Sequence, residues 1–393
     1  MKKLWLTLPA FSPDYSGVCS AMFELNGLCV IHDASGCTGN YTGYDEPRWY
    51  GSQAKIYCSG LREIDAVLGR DDKLIDEILA ACRDVVPAFV TILGSPVPMV
   101  IGTDMEGIAC EVEDRSGLPA FGFNTNGLRL YNTGISQAMC ALIHRFTRQP
   151  EKKIERGVNI LGMTPLDFST NSNANDLRMF LSRQKFSVVG SLMMGVTLTQ
   201  IEQLAQAQVN LVVTEAGLAP AVLLQREYGI PYVAGLPLGT GEEVYRALSA
   251  TLEDGKNRVL RDTAQEGDIL IVSEQVLGNS IRRELLRMCP QSRVTVGSMF
   301  GLNPELASPE DLDIPDEESL LKIINSHRFS KLVGDPLFGE LVGPDDGLTF
   351  YPLPHPAVSS KIFWDKVPTF LSDNMKEFLH IIVQNVTRKE ANK

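Results

Sequence analysis

Cys19, Cys37 and Cys58 each lie beside glycine or serine in stretches that read as loops or strand ends. Thiolates taken from separate loops suit an iron–sulfur cluster, because soft sulfur binds iron in that form and several loops can surround one inorganic core. Cys37 falls in HDASGCTGN, directly after the apolar run Leu28–Ile31 and between Gly36 and Gly39, where a bare backbone can approach another group closely. That is a ligand position, with Gly36 lining it. A small thiol can also simply fill space. For Cys19 and Cys37 the ligand reading is taken; for Cys58 ligand and filler stand side by side.

The other reactive side chains carry plainer readings. Cys29 lies inside an apolar run, Cys82, Cys110 and Cys140 in helical patterns, and Cys289 near a helix end, so packing is expected of all five. His355, between two prolines in PLPHPAV, reads as a rigid exposed turn and is either a proton donor or a simple surface turn. Glu215 and Asp335 follow strand ends as acids of a cleft or as caps of the next helix, with capping the simpler reading. His32 is expected to be a structural hydrogen-bonder. The chain contains no Walker-type phosphate loop, no third glycine for a dinucleotide fingerprint, and no H-E-x-x-H, paired C-x-x-C or G-x-S-x-G.

Short β-branched runs ending in Gly, Pro, Asp or Asn alternate with helical periodicity, which predicts an α/β architecture with parallel sheets. The strands expected are CVIHDASG, KIYCSGLRE, FVTILGSPV and PAFGFNTNG, then VNILGMTP, FSVVGSLMMG, NLVVTEAG and PYVAGLPLG, then DILIVSEQVLG, SRVTVGSMFG, FSKLVGDPLFG and LTFYPLPHPA. Helices are expected over 71–82, 104–112 and 132–146. The repeated order of strand endings implies an internal duplication into three Rossmann-like domains around a central cleft. Their expected bounds are 1–152, 153–262 and 263–393, with the charged stretch QPEKKIER as a connector.

A chain of 393 residues exceeds the roughly 250–300 at which one core stops growing. Net charge −12 without a Lys/Arg cluster argues against nucleic acid and against a membrane surface. No apolar run reaches the ~20 residues that span a bilayer. MKKLWLTLPAF imitates a leader but is followed at once by Pro13 and Asp14 without a cleavage site, and the eight irregularly spaced cysteines fit reduced thiols, so a cytoplasmic protein is expected.

Together these segments resemble the component 1 family of nitrogenases and nitrogenase-like reductases, which includes the dark-operative protochlorophyllide, chlorophyllide and nickel-sirohydrochlorin reductases. GVCSAMFELNG, VIHDASGCTGNY, SGLREIDAVLGRDDKL and SPVPMVIGTDMEGIA carry the match in order, and GIPYVAGLPLG extends it. The third is similar to the family's S/T-x-x-x-E-x-D-x-V-x-G, with Glu63, Asp65, Val67 and Gly69 in place. The family's cluster cysteines fall on Cys37 and, at a shorter separation than usual, on Cys19. Where nitrogenase chains carry a third cluster cysteine this chain has Ser95, so an oxygen, Cys58 or nothing takes that place.

The resemblance implies an iron–sulfur cluster, 4Fe–4S or P-cluster-like, at a twofold subunit interface. It also implies a separate ATP-dependent iron protein that delivers electrons singly. The passage that would hold the cysteine of nitrogenase's large cofactor reads TPLDFSTNSNAND, so nitrogen fixation is not expected. The expectation is a reductase acting on a small molecule or tetrapyrrole in the cleft, with protons from His355, Glu215 and Asp335. The alternative is a non-catalytic scaffold for assembling a metal cofactor or tetrapyrrole. Either is paired with an identical or a related chain as a homodimer, heterodimer or heterotetramer.

Overall fold

The computed structural model describes residues 6–262, 267–344 and 346–390; Lys2 and Lys3 of the leader-like stretch lie outside them. All the expected strands form, in three parallel sheets. The first joins β1 (Leu28–Ile31), β2 (Lys55–Cys58), β3 (Val90–Leu93) and β4 (Ala120–Phe123) in the order β2-β1-β3-β4. The second joins β5 (Gly157–Leu161), β6 (Ser187–Ser191), β7 (Val209–Val212), β8 (Tyr232–Ala234) and the two-residue β9 (Arg258–Val259) in the order β6-β5-β7-β8-β9. The third joins β10 (Ile269–Val272), β11 (Val294–Ser298), β12 (Leu312–Asp313), β13 (Lys331–Gly334) and β14 (Thr349–Pro352) in the order β12-β11-β10-β13-β14.

In each sheet the first strand lies between the second and the next long one, so the connections leave in opposite directions from its two sides. A crevice opens at the carboxyl end of such a switch point, and ligands of open parallel sheets bind there. The loops at the three switch points carry Cys37 and Ser95, then Asp167 and Glu215, then Glu274 and Asp335. The central strands LCVI, VTIL, VNLV and ILIV are wholly buried, as parallel strands covered on both faces must be.

The expected helices also form. Besides α1 (Asp14–Met22), α2 (Gly36–Asn40) and α3 (Glu63–Leu68), they include α4 (Asp71–Val85), whose acidic first turn precedes a buried stripe of Leu74, Ile75, Ile78 and Cys82. After α5 (Pro96–Ile101), α6 (Met105–Ser116) covers the same face of the first sheet, and α7 (Tyr131–Phe146) follows β4. The short α8 (Pro165–Phe168) opens the second unit.

α1 and α7 are packed backbone to backbone. A Cβ on Gly17 would lie 2.1 Å from the Tyr131 carbonyl oxygen, and one on Gly134 would lie 2.0 Å from that of Asp14. The three spans also exchange segments. Ser12 N–H donates to Ala357 O at 2.9 Å, and Asn173 is bonded to the Pro368 carbonyl and the Phe370 N–H, so the third span reaches back onto the second.

Candidate functional site

Register fixes the first ledge. Ile31 pairs with Cys58 on one side and Leu93 on the other, so His32, Ser59 and Gly94 leave the sheet at one level. The segment after β1, expected to be an open loop, folds instead as α2 followed by a π-helical turn, Tyr41–Asp45. The reason is Asp33, whose Oδ2 accepts the N–H groups of Ser35, Cys37 and Thr38 at 2.9, 2.8 and 3.2 Å and satisfies donors that a helix start leaves open. Ser35 reaches this geometry with φ of 140°, a strained conformation for a side chain other than glycine.

Cys37 is half-buried. Burial raises its pKa, while Tyr15 and Ser95 hydrogen bonds lower it and the Asp33 carboxylate raises it further. Cys58, half-exposed at the end of the neighbouring strand, shares Asp33: its Sγ donates to Asp33 O at 3.3 Å and accepts Gly60 N–H at 3.4 Å. Nothing lies within 4 Å of where a Cβ would stand on Gly36, Gly39 or Gly60, so the chain beside both cysteines leaves room for another group. Ser95 is fully buried and its Oγ donates to His32 O at 2.9 Å. His32 Nδ1 lies 2.8 Å from Ser59 Oγ, and burial lowers its pKa, as a structural hydrogen-bonder requires.

Cys19 differs from its expected loop setting. It lies within α1, is fully enclosed, and has Cys29 and Glu46 as its titratable neighbours, with burial holding its thiol pKa well above the usual range. The small residues around it are small because α1 runs against α7, not because the chain is a loop there. Cys29 and Cys82 are core, Cys140 is half-buried on α7, Cys289 is buried at a helix end, and Cys110 is exposed on α6. Among the described residues no group of three or more His, Cys, Asp or Glu side chains is arranged to hold a metal ion.

The second constellation lies where the three sheets meet. Tyr131 Oη donates to Asp167 Oδ1 at 2.5 Å, and His355 Nε2 lies 2.8 Å from the same oxygen. His355 is therefore not in an exposed turn: it is 5% exposed, closed in by the Phe300 ring, 4.9 Å away between centroids, and by Tyr131. Asp335 takes the capping role, accepting Leu337 N–H, His355 N–H and the Ser359 hydroxyl at 3.0, 2.8 and 2.7 Å. Glu215 does not cap; its carboxylate accepts Asn132 Nδ2 at 2.9 Å and Asn303 Nδ2 at 3.2 Å, bridging the units.

Glu274 was not anticipated. It accepts the N–H groups of Glu215, Val276 and Leu277, yet burial, with the Asp167 carboxylate nearby, pushes its pKa up to about 8. Tyr131, Asp167, Glu215 and Glu274 line a cavity of about 10 Å³, room for roughly one water, so the junction is closed at this point.

A third feature adjoins the first ledge. A groove of about 100 Å³ is lined by His32 and Ser59, by charged residues of α3 and α4 including Asp65, Lys73 and Glu77, and by Ile101 at the end of α5. On α3 and α5, Ile64, Val67, Leu68, Val97, Met99, Val100 and Ile101 are exposed, Val100 by 77%. No helix among the described residues is long and apolar enough to cross a membrane.

Comparison with known proteins agrees with this architecture. Nitrogenase Cp1 structures superpose over nearly the whole chain: one covers 99% of this chain and 96% of its own at TM-score 0.71 and 12% identity, another 98% and 89% at 0.66 and 15%. A subunit of the light-independent protochlorophyllide reductase of Leptolyngbya boryana is 26% identical over 188 residues, 44% of this chain and 36% of that protein. The nitrogenase iron-molybdenum cofactor biosynthesis protein NifE of Rhodobacter capsulatus is 24% identical over 261 residues, 63% of this chain. The chain spans 52% of that relative's length. Residues 14–271 match the family described as nitrogenase component 1 type oxidoreductase, and the chain belongs to that family.

Proposed function

We propose that this chain is the catalytic component of a nitrogenase-like reductase. An iron–sulfur cluster, 4Fe–4S or P-cluster-like, at the Cys37 edge of the first sheet receives electrons from an ATP-dependent iron protein for a small-molecule or tetrapyrrole-type substrate. The observation that carries this reading is the pair of half-exposed thiols that share Asp33, Cys37 on α2 just after β1 and Cys58 at the end of the adjacent β2. Soft donors at a switch point suit iron bound as a cluster, which when bound supplies a one-electron relay at low potential.

Cys37 and Cys58 would hold one side of that group, with Gly36 keeping the approach open. Ser95 fixes the His32 backbone beneath. The enclosed setting of Cys19 leaves it a role only if α1 moves, so the remaining donors come from a second component 1 chain, identical or related. The exposed apolar side chains of α3 and α5, beside the same ledge, are the surface assigned to the iron protein, since exposed apolar groups gathered on neighbouring helices suit a protein contact. Proton donation by His355, Glu215 or Asp335 requires the junction to open, because in the closed form these groups hold the three units together.

The closed junction favours one second reading, a scaffold that carries a metal cofactor or tetrapyrrole on its surface. Anaerobic turnover separates the two. With an iron protein, ATP and reductant, repeated product formation supports the enzyme and a single release of bound species supports the scaffold. Protein without iron or sulfide rejects the cluster-bearing enzyme.

A further inference from the structure

We infer that Asp167 and Glu274, carboxylates from two different units, share one proton across the small cavity they both line, and that this proton holds the junction closed. The inference needs no cluster at Cys37. Asp167 is 6% and Glu274 3% exposed, and no Lys or Arg lines their cavity. The neutral donors around it are committed elsewhere. Asn132 Nδ2 donates to Glu215 Oε2 and the Phe300 carbonyl at 2.9 and 3.0 Å, Asn303 Nδ2 to Glu215 Oε1, and the Thr214 hydroxyl to Gly162 O at 2.7 Å. Tyr131 and His355 both meet Asp167 Oδ1. Asp167 Oδ2 and Asn132 Oδ1 are left buried without a hydrogen-bond partner among the described residues.

Both orphaned atoms are acceptors, so whatever satisfies them must donate. Glu274 has a place for the proton: its Oε1 accepts the Glu215 and Val276 N–H groups, but Oε2 accepts only Leu277 N–H, at 2.9 Å, and keeps a lone pair. The cavity has room for one water, which accepts from the Glu274 acid and donates to Asp167 Oδ2 and Asn132 Oδ1. These residues belong to the third, second and first units, so one proton and one water tie all three. Electrostatics agree. Two carboxylates lining one closed cavity without a cation are stabilised by giving up a charge, and Glu274 is the acid whose pKa rises, to about 8. The titratable groups facing it are Asp167 after β5, Glu215 after β7, Tyr131 on α7 and, beyond Asp167, His355 after β14. Arg282, on the helix that Glu274 caps, is paired with Asp311. The closed form binds the proton and an opened one releases it to solvent, so closure weakens as pH rises from about 4.5 to about 8 and is constant beyond.

The test applies infrared spectroscopy and hydrogen exchange to the full chain from about pH 5 to about pH 9, comparing wild type, Glu274→Gln and Asp167→Asn. The wild type is expected to show the carbonyl stretch of a protonated carboxylic acid at neutral pH, lost as pH passes about 8. Glu274→Gln should lack that band, and in Asp167→Asn, where the second charge is gone, it should be lost at lower pH. Exchange followed by mass spectrometry, corrected for the intrinsic rate at each pH, should show opening of residues 275–288 rising by up to about tenfold per pH unit below about 8 in the wild type. It should stay flat in Glu274→Gln. A wild type without the acid band at neutral pH, or a band that survives Glu274→Gln, overturns the shared proton. The expected band beside pH-independent exchange overturns its role in closing the junction. If Glu274→Gln does not fold, Asp167→Asn decides: a band lost at the wild-type pH contradicts the pairing.

Discussion

The Tyr131 hydroxyl donates to Asp167 Oδ1 at 2.5 Å, linking the first residue of α7 to the helix that follows β5. His355, which follows β14, meets the same oxygen at 2.8 Å, so one carboxylate oxygen joins all three units. Tyr131→Phe removes a hydrogen bond to a buried charged acceptor and should destabilise by about 1.5–3 kcal/mol in urea unfolding. Combined with His355→Gln, the double variant should depart from additivity by about 0.5–3 kcal/mol, because both act on one oxygen. Strict additivity would show that the junction is not a shared network.

Glu274 makes stability depend on pH. Its pKa is raised from 4.5 to about 8 by burial and by Asp167. Between those values the unfolded chain has lost the proton that the folded chain still holds, so stability falls as pH rises, by at most about 1.4 kcal/mol per pH unit, and levels off above the folded value. Glu274→Gln should flatten that slope between pH 5 and about 8, whatever it does to the absolute stability. Equal slopes in chemical unfolding at several pH values would contradict this.

Gly17→Ala places a methyl group 2.1 Å from the Tyr131 carbonyl, against backbone on both sides. The two helices must separate, moving Tyr15 and Tyr131 together. The expected result is a loss of about 3 kcal/mol or more, in the range of severe overpacking, with altered near-ultraviolet circular dichroism from the displaced tyrosines.

On the α5 face, Val100→Asp changes a side chain that is 77% exposed. Stability should stay within about 0.5 kcal/mol of wild type. Electron transfer from an iron protein should fall at least tenfold if the apolar face is the docking surface, and iron content should be unchanged. Normal transfer would move the docking surface elsewhere.

Much of this architecture was legible in the residues. Buried parallel strands read as short β-branched runs closed by small residues, and every expected strand formed; the two-residue β9 and β12 carry too little pattern to be seen. The switch-point positions of Cys37, Glu215 and Asp335 follow from those strand ends. What failed had long-range causes. Cys19 sits among small residues that resemble a loop, but they are small because Tyr131, far along the chain, presses against Gly17. His355 between prolines reads as an exposed turn until Phe300 and Tyr131 close over it. Tyr131 and Glu274 gave no local signal, since the first looks like part of a packed helix face and the second like a cap. Asp33, which turns the cysteine loop into a helix, could have been found from its place just ahead of Ser35 and Gly36.

The most direct test of the central claim is iron and sulfide quantitation with electron paramagnetic resonance on anaerobically purified protein, wild type beside Cys37→Ala. The account predicts a reducible iron–sulfur signal in the wild type that is lost or grossly altered in the variant while its circular dichroism is retained. A wild-type protein that folds without iron, or a signal indifferent to Cys37, would contradict it.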